Sequence, residues 1–150
     1  MDGTQADNPW IGQEITQGPW KGWRGYETDP FENLTGPFYN RTDETGEVVC
    51  AFRTEKRHMN AGGAMHGGAM ITFADYAIFI IAGDTLAGGG SVTASLNCDL
   101  VGAAEEGELI EARGDVVRAG GSLVFVRGVA TAEGRPILSF SAIIKKTRAR

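Results

Sequence analysis

The sequence predicts an α+β fold in which an antiparallel β-sheet wraps around one long buried helix. Two patterns support this prediction. Residues 69–82 are apolar on every side except at Thr72 and Asp75, as expected of a buried helix. Strand-like segments lie before and after this helix, and short glycine-containing turns join the later ones, as in antiparallel neighbours. The helix is therefore expected to form the core itself.

A chain of 150 residues is long enough for one domain with its own core. We place that domain at residues 46–150 and interpret residues 1–45 as an irregular N-terminal arm packed on it, with room for one short helix. The arm holds all three tryptophans, seven of the thirteen aromatic residues and four of the five prolines. Its aromatic side chains need a surface on which to be buried, or a ligand pocket to line.

The elements of the main domain follow in chain order. A β-branched and apolar run predicts a strand over 47–54, and a glycine-dense loop follows over 58–68. The apolar helix comes next and ends at Gly83 and the glycines of 88–90, because glycine leaves the helical conformation readily. Four further strands are predicted over 91–101, 108–118, 122–131 and 136–146.

One face of the strand predicted over 108–118 is unusually small. Alternation places four residues on that face: Ile110, Ala112, Gly114 and Val116. Small side chains at these positions would let the central helix pack close to the sheet.

Composition and charge exclude several classes of protein. The net charge is −5, with 6 basic and 17 acidic residues in 1–111 against 8 and 2 in 112–150, and this overall acidity argues against nucleic-acid binding. The N-terminal sequence lacks the basic and apolar regions of a signal peptide, and no apolar run reaches the ~20 residues that a membrane-spanning helix needs. We therefore expect a cytoplasmic protein without a membrane partner.

Metal and disulfide chemistry are also disfavoured. Cys50 and Cys98 each sit in a strand-like run, where a reduced cysteine behaves as a small hydrophobe. The chain has two histidines and no familiar ligand spacing, so a site built from His58, His66 and Asp75 is not expected. We predict no metal.

Asp75 is the most informative residue because it places a carboxylate in the middle of the buried helix. Burying an ionised carboxylate without a partner is costly and raises its pKa. Asp75 is therefore either a structural acid satisfied by a neighbour or a general base held in a dry site. The helix pattern alone leaves both interpretations open.

His66, Gly67 and Gly68 immediately precede the predicted helix. The first turn of a helix presents unpaired N–H groups, and glycine lets a substrate approach the backbone, so such a site can bind an oxyanion. The alternative is that the two glycines only turn a corner and that His66 is an ordinary loop histidine.

The spacing of Gly67 and Asp75 limits how they can act together. Eight residues at about 1.5 Å per residue separate them by about 12 Å along one helix. A base and an oxyanion donor that serve one carbonyl must both lie within roughly 3 Å of the reacting groups. If both act in one site, they come from different protomers related by a two-fold axis.

The motif Asn60-(x)5-His66-Gly67-Gly68-(x)6-Asp75 resembles that of the hot-dog-fold acyl-CoA thioesterases, specifically the phenylacetate-degradation type within the 4-hydroxybenzoyl-CoA thioesterase superfamily. The resemblance extends from about Val48 to Lys146. It also includes four later patterns, which are Ser91-Val92-Thr93 with the stretch to Leu100, Gly107-Glu108, Arg118-Ala119-Gly120 and Leu123-Val124-Phe125.

This resemblance implies hydrolysis of an acyl-CoA thioester. The N–H of Gly67, helped by Asn60, would polarise the thioester carbonyl. Asp75 of the facing protomer would activate water or attack directly. Thr93 would help to hold that water, and His66 would lie near the sulfur and the leaving group.

The resemblance also implies a small-molecule partner and self-association. The substrate would be an acyl-CoA, whose coenzyme A is part of the substrate, so no separate cofactor is expected. The assembly would be a homodimer or a dimer of dimers. The family often has a basic residue where this chain has Gly121, which leaves the phosphate contacts to Arg118, the C-terminal basic residues or a neighbouring subunit. The predicted contacts to coenzyme A are Gly68, Arg118, Gly120, Gly121 and Ser122.

Two other functions remain as alternatives. One is a hot-dog dehydratase or hydratase that acts on acyl thioesters, although Asn60 with the His-Gly-Gly run favours hydrolysis. The other is a non-catalytic module that binds acyl-CoA, against which the presence of Asp75 and Thr93 counts.

Overall fold

The computed structural model describes residues 12–86 and 88–148. Within these residues it contains two α-helices, α1 (Pro30–Thr35) and α2 (Gly67–Ile81), and 3₁₀ turns at Lys56–His58 and Gly83–Leu86. The strands are β1 (Gln13–Glu14), β2 (Arg24–Gly25), β3 (Tyr39–Thr42), β4 (Val48–Arg53), β5 (Gly90–Leu100), β6 (Leu109–Ala119), β7 (Leu123–Ala132) and β8 (Arg135–Thr147).

These strands form a single antiparallel sheet around α2, which confirms the predicted α+β hot-dog fold. The spatial order is β1, β2, β3, β4, β6, β7, β8 and β5. Helix α2 packs against β4 to β8. It buries seven side chains in the core, those of Met70, Phe73, Ala74, Tyr76, Ala77, Ile78 and Ile80.

Helix α2 begins two residues earlier than the predicted start at residue 69. His66 occupies the position before the first helical residue, and its Nδ1 accepts a hydrogen bond from the backbone N–H of Gly68. This side-chain cap satisfies a donor that the first turn would otherwise leave unpaired. It therefore offsets the low helix propensity of the two glycines that open α2.

The small face of β6 lies beneath the end of α2, as the alternation predicts. A Cβ atom on Gly114 would lie 3.0 Å from Cδ1 of Ile81 in α2 and would overlap the backbone oxygen of Arg127. Gly114 pairs with Gly128 of β7, and a Cβ there would overlap the ring of Phe140. The absence of both side chains lets Ile81 and Phe140 fill this part of the core.

Residues 12–45 are more regular than the predicted irregular arm, because three strands and α1 lie within them. β3 pairs with β4 over four residues, so the sheet begins before the expected domain start at residue 46. β1 and β2 are two residues long, which is too short for alternation to be visible in the sequence. Trp10, counted with the aromatic residues of the arm, and Arg150 of the basic C-terminus lie outside the described residues.

Aromatic contacts attach this segment to the sheet. Trp20 stacks on Tyr39 of β3 with ring centroids 4.3 Å apart, and Trp23 meets the edge of Trp20 at 5.2 Å. The guanidinium of Arg41 lies 4.5 Å from the ring centre of Trp23. Phe38 enters the core itself, where it is 6% exposed.

Helix α1 is fixed by side chains that bind its last carbonyl groups. The guanidinium of Arg57 donates to the backbone oxygens of Leu34 and Gly36. The ring of buried His58 places Nε2 2.6 Å from the oxygen of Thr35, while Nδ1 accepts the N–H of Glu55 at 2.9 Å. Because Nδ1 is an acceptor, Nε2 carries the proton and donates to α1. His58 is therefore a structural residue.

Cys50 is buried and Cys98 is half-buried, and both are free. In the part of the chain that the structure describes, no three His, Cys, Asp or Glu side chains are grouped so that they could hold a metal ion. None of its helices combines the length and the apolar character needed to cross a membrane.

We predict that Gly114→Ala lowers the free energy of unfolding by about 2 kcal/mol, because the added methyl group overlaps the backbone of β7 at Arg127 and crowds Ile81 of α2. Urea unfolding followed by circular dichroism measures this change. Gly121→Ala is the control, since a Cβ at that position meets nothing within 4 Å. Equal stability of the two variants would show that the contact is not tight.

Candidate active site

Asp75 has a polar partner in the structure. It lies in the middle of α2, is half-buried, and its Oδ1 accepts a hydrogen bond of 2.6 Å from Oγ1 of Thr93. Thr93 belongs to β5, and the pairing of β5 with β8 shifts by a bulge between Thr93 and Ser95. Such bulges re-aim side chains. The structure thus brings Asp75 and Thr93 together, with Thr93 bonded to the carboxylate itself.

The carboxyl group of Asp75 opens onto a cleft of about 270 Å³ between the two helices. The cleft is lined from three elements: Asp29, Phe31 and Glu32 from α1 and its N-cap; Ile71, Thr72 and Asp75 from α2; and Leu96 from β5. The arm therefore forms one wall of the cleft, in line with the expectation that its aromatic residues could line a pocket, but the sequence did not single out Glu32. A local signal for α1 exists, because Asp29 precedes Pro30 and its side chain caps the N–H of Glu32.

The N-terminus of α2 presents one unpaired backbone donor. Nδ1 of His66 accepts a hydrogen bond of 2.8 Å from the N–H of Gly68. By contrast, the N–H of Gly67 has no acceptor among the described residues. A Cβ on Gly67 would lie 2.8 Å from Cδ2 of Leu100, so the backbone runs close to the end of β5. Among the described residues, the N–H of Gly67 is thus available to a ligand, whereas that of Gly68 is not.

Asn60 organises the loop that leads into α2. Its Oδ1 accepts the N–H groups of Gly62 at 2.9 Å and Ala64 at 3.1 Å. These bonds hold the side-chain amide of Asn60 against the loop. Within the described part of the chain, Nδ2 donates to no acceptor, and the residue is exposed. The amide nitrogen is therefore free to bind a ligand.

The two halves of the predicted site do not meet within one chain. Gly67 and Asp75 lie on the same continuous helix. Their separation along its axis is about 12 Å, so one carbonyl group cannot reach both. The structure brings Asp75 and Thr93 together at the middle of α2, whereas His66 and Gly67 lie at its start and Asn60 lies in the loop before it.

Four of the five predicted contacts to coenzyme A lie at the turn between β6 and β7, whereas Gly68 lies in the first turn of α2. Gly120 donates its N–H to the oxygen of Leu123 and accepts a bond of 3.1 Å from Nζ of Lys146. Strand pairing places this turn at the same end of the sheet as Thr93, with two strand spacings between β5 and its β7 side and three between β5 and its β6 side, or about 10 to 14 Å. Arg118, Gly120, Gly121 and Ser122 therefore do not contact Asp75 within the chain.

A second carboxyl group shares the cleft with Asp75. Oε2 of Glu32 accepts a hydrogen bond of 2.6 Å from the hydroxyl of Tyr26. Burial raises the pKa of Glu32 to about 7, and the negative charges of Asp29 and Asp75 contribute to the rise. Burial and the bond to Glu32 also raise the pKa of Tyr26. Glu32 therefore changes its charge near neutral pH, whereas Tyr26 stays a neutral donor.

We predict that His66→Ala lowers the free energy of unfolding by about 1 kcal/mol, because the N–H of Gly68 loses its acceptor. His66→Asn should recover most of this loss, since asparagine is among the preferred N-cap residues. Urea unfolding of the three proteins measures both effects. An alanine variant as stable as the wild type would contradict the assigned cap.

Known proteins share sequence and fold with this chain. The family model described as the thioesterase superfamily matches residues 62–138. Human acyl-coenzyme A thioesterase 13 is 30% identical over 95 residues, which cover 63% of this chain and 68% of that protein.

Solved structures share the fold. A mutant of phenylacetic acid degradation protein PaaI from Thermus thermophilus is 25% identical with a TM-score of 0.67, over 79% of this chain and all of that one (100%). A hypothetical thioesterase of Streptococcus pneumoniae, crystallised with coenzyme A, has a TM-score of 0.65 and 20% identity, over 75% of this chain and 88% of that one. At that identity the likeness concerns the fold alone.

Proposed function

The chain belongs to the thioesterase superfamily, and on this premise we propose that it hydrolyses acyl-CoA thioesters to a free acid and coenzyme A. The observation that carries the proposal is the half-buried carboxylate of Asp75, oriented by Thr93 and open to a cleft. A carboxylate held in this way can accept a proton from an attacking water. The name of the human relative, an acyl-coenzyme A thioesterase, supports the choice of substrate.

The site we propose is shared between two protomers of a homodimer. The distance of about 12 Å along α2 separates the free N–H of Gly67 from Asp75 in one chain. A two-fold axis that packs two copies of α2 antiparallel would bring Gly67 and Asn60 of one protomer to Asp75 and Thr93 of the other. Each dimer would then hold two equivalent sites.

Hydrolysis in this site proceeds by addition and elimination. Water attacks the thioester carbon while Asp75 takes one of its protons, and the carbonyl oxygen becomes an oxyanion. The N–H of Gly67 and Nδ2 of Asn60 stabilise that oxyanion by hydrogen bonds. The carbon–sulfur bond then breaks, the thiolate leaves, and it receives the proton that Asp75 holds. The products are the carboxylic acid and the free thiol of coenzyme A.

Coenzyme A would extend from this site toward the basic end of the sheet. Arg118, Lys145, Lys146 and Arg148 lie at or beside the turn between β6 and β7 and could pair with phosphate groups. The exposed ring of His66 lies at the start of α2, beside the proposed oxyanion donors, where the sulfur would leave.

We predict that Asp75→Asn lowers kcat for thiol release by about 10²- to 10⁴-fold, because asparagine keeps a hydrogen-bond acceptor for Thr93 but cannot take a proton from water. Thiol release from a panel of aryl, short-chain and long-chain acyl-CoAs measures the change, and circular dichroism checks the fold. Asp84→Asn is the control, since Asp84 is exposed at the far end of α2 and should leave kcat unchanged.

An Asp75→Asn variant with the wild-type kcat would contradict the proposed mechanism. Wild-type protein that hydrates an enoyl-CoA but releases no thiol would instead support the hydratase alternative. Tight binding of acyl-CoA without any turnover would support the binding module.

We predict that two inactive variants restore activity when their protomers are mixed. Asp75→Asn lacks the base, and Asn60→Ala lacks an oxyanion donor, so each homodimer has two defective sites. If each site is shared between protomers, a mixed dimer has one intact site of two. Random exchange of equal amounts makes about half of the dimers mixed, so about one quarter of the wild-type activity should return. Activity is measured before and after subunit exchange. No recovery, with exchange verified by mass spectrometry, would place the site within one chain.

A further inference from the structure

Glu32 stands out because the proposed reaction gives it no task, yet it lines the same cleft as Asp75. It comes from α1 in the N-terminal segment, more than forty residues away along the chain. Its Oε2 is held at 2.6 Å by the hydroxyl of Tyr26, and its backbone N–H is held by Asp29. The carboxyl group therefore has a fixed place at the wall of the cleft.

Helix α1, which forms this wall of the cleft, is held in place by hydrogen bonds to its last carbonyl groups. Arg57 and His58, from the turn before α2, donate to the carbonyl oxygens of Leu34, Thr35 and Gly36 at the end of α1. These bonds tie α1 to the body of the protein. An acyl group that enters the cleft thus meets Glu32 at a defined position.

We propose that Glu32 is a specificity-determining residue that excludes acyl groups ending in a carboxylate and admits uncharged ones. The inference rests on the proposed thioesterase function, because it assigns the acyl group to the cleft at Asp75.

The lining of the cleft gives the physical reason. Phe31, Ile71 and Leu96 offer apolar surface to an uncharged chain. Three carboxyl groups, those of Asp29, Glu32 and Asp75, line the same cleft of about 270 Å³. A further carboxylate would be repelled at short range, where the protein screens charges less than water does. The hydroxyl of Tyr26 already donates to Glu32, so it does not neutralise an incoming anion.

The exclusion should strengthen with pH. The pKa of Glu32 is influenced by Tyr26 and Asp29 from its own segment and by Asp75 from α2. The charge of Glu32 in turn raises the pKa of Tyr76 in α2 and of Cys50 in β4. With a pKa of about 7, Glu32 is mostly protonated at pH 6 and mostly ionised at pH 8. An anionic acyl group therefore meets one more negative charge at the higher pH.

The test compares two acyl-CoAs of the same shape. Adipoyl-CoA ends in a carboxylate, and 6-methylheptanoyl-CoA replaces that group with an uncharged branched end. The ratio of kcat/KM for the neutral over the anionic substrate is measured at pH 6 and pH 8. Because both substrates use the same protein sample, the ratio is insensitive to the fraction of folded enzyme and to ionisations common to both reactions.

For the wild type we expect the ratio to favour the neutral substrate and to rise about fivefold from pH 6 to pH 8. Glu32→Gln should remove this rise and lower the ratio at pH 8 by a similar factor, while its amide oxygen still accepts from Tyr26. Glu27→Gln is the control: Glu27 is exposed, does not line the cleft, and should keep the wild-type ratio at both pH values.

A wild-type ratio that favours neither substrate, or that does not change with pH, would overturn the inference. So would a Glu32→Gln ratio equal to that of the wild type. The wild-type measurement needs no variant, so the inference stays testable if Glu32→Gln does not fold. Failure to hydrolyse any acyl-CoA would refute the proposed function itself, whereas rapid hydrolysis with a flat ratio would refute the role of Glu32 alone.

Discussion

A carboxylate on a buried helix must have a polar partner and a route to solvent, and the arrangement around Asp75 supplies both. Thr93 donates a hydrogen bond from β5, and the cleft between α1 and α2 exposes part of the carboxyl group. The cleft in turn requires α1 to stay beside α2. Arg57 and His58 hold it there through its last carbonyl groups, so the surroundings of one acid depend on side chains far from it in sequence.

Helix α2 has two different surroundings along its length. Its first turn is capped by His66, and the N–H of Gly67 has no acceptor among residues 12–86 and 88–148, so this end presents a partial positive charge. Its middle lies among apolar side chains and carries a single acid. Because α2 is apolar on nearly every side, it cannot rotate without disturbing the core. The helix therefore holds the N–H of Gly67 and the carboxylate of Asp75 in fixed positions.

The central helix and the long strands were predictable because their signals are local and repeated. Apolar runs and turn glycines marked α2 and β4 to β8 to within a few residues, and the spacing from Asn60 to Asp75 is visible because those residues are close in sequence. β1 and β2 were not predictable, since two residues cannot show a period.

Glu32 was not predictable as part of the cleft for a different reason. Aspartate followed by proline marks the start of α1, but nothing local indicates where that short helix docks. Its position is set by bonds from Arg57 and His58 to backbone atoms, and backbone acceptors carry no sequence signature. For the same reason, the bond from Thr93 to Asp75 became visible only once β5 was placed against α2.

The bulge in β5 divides that strand into two halves, and the alternation of side chains between the two faces of the sheet shifts by one residue from one half to the other. Before it, the odd-numbered Thr93 points to the helix, and after it the even-numbered Leu96 and Cys98 pack against the core. A slip of one residue in the first half would turn Thr93 outward and leave Asp75 without its donor, while Leu96 and Cys98 kept their places. The site and the hydrophobic core thus occupy one strand but are aligned independently, so a change of length near Gly90 can alter one without unfolding the other.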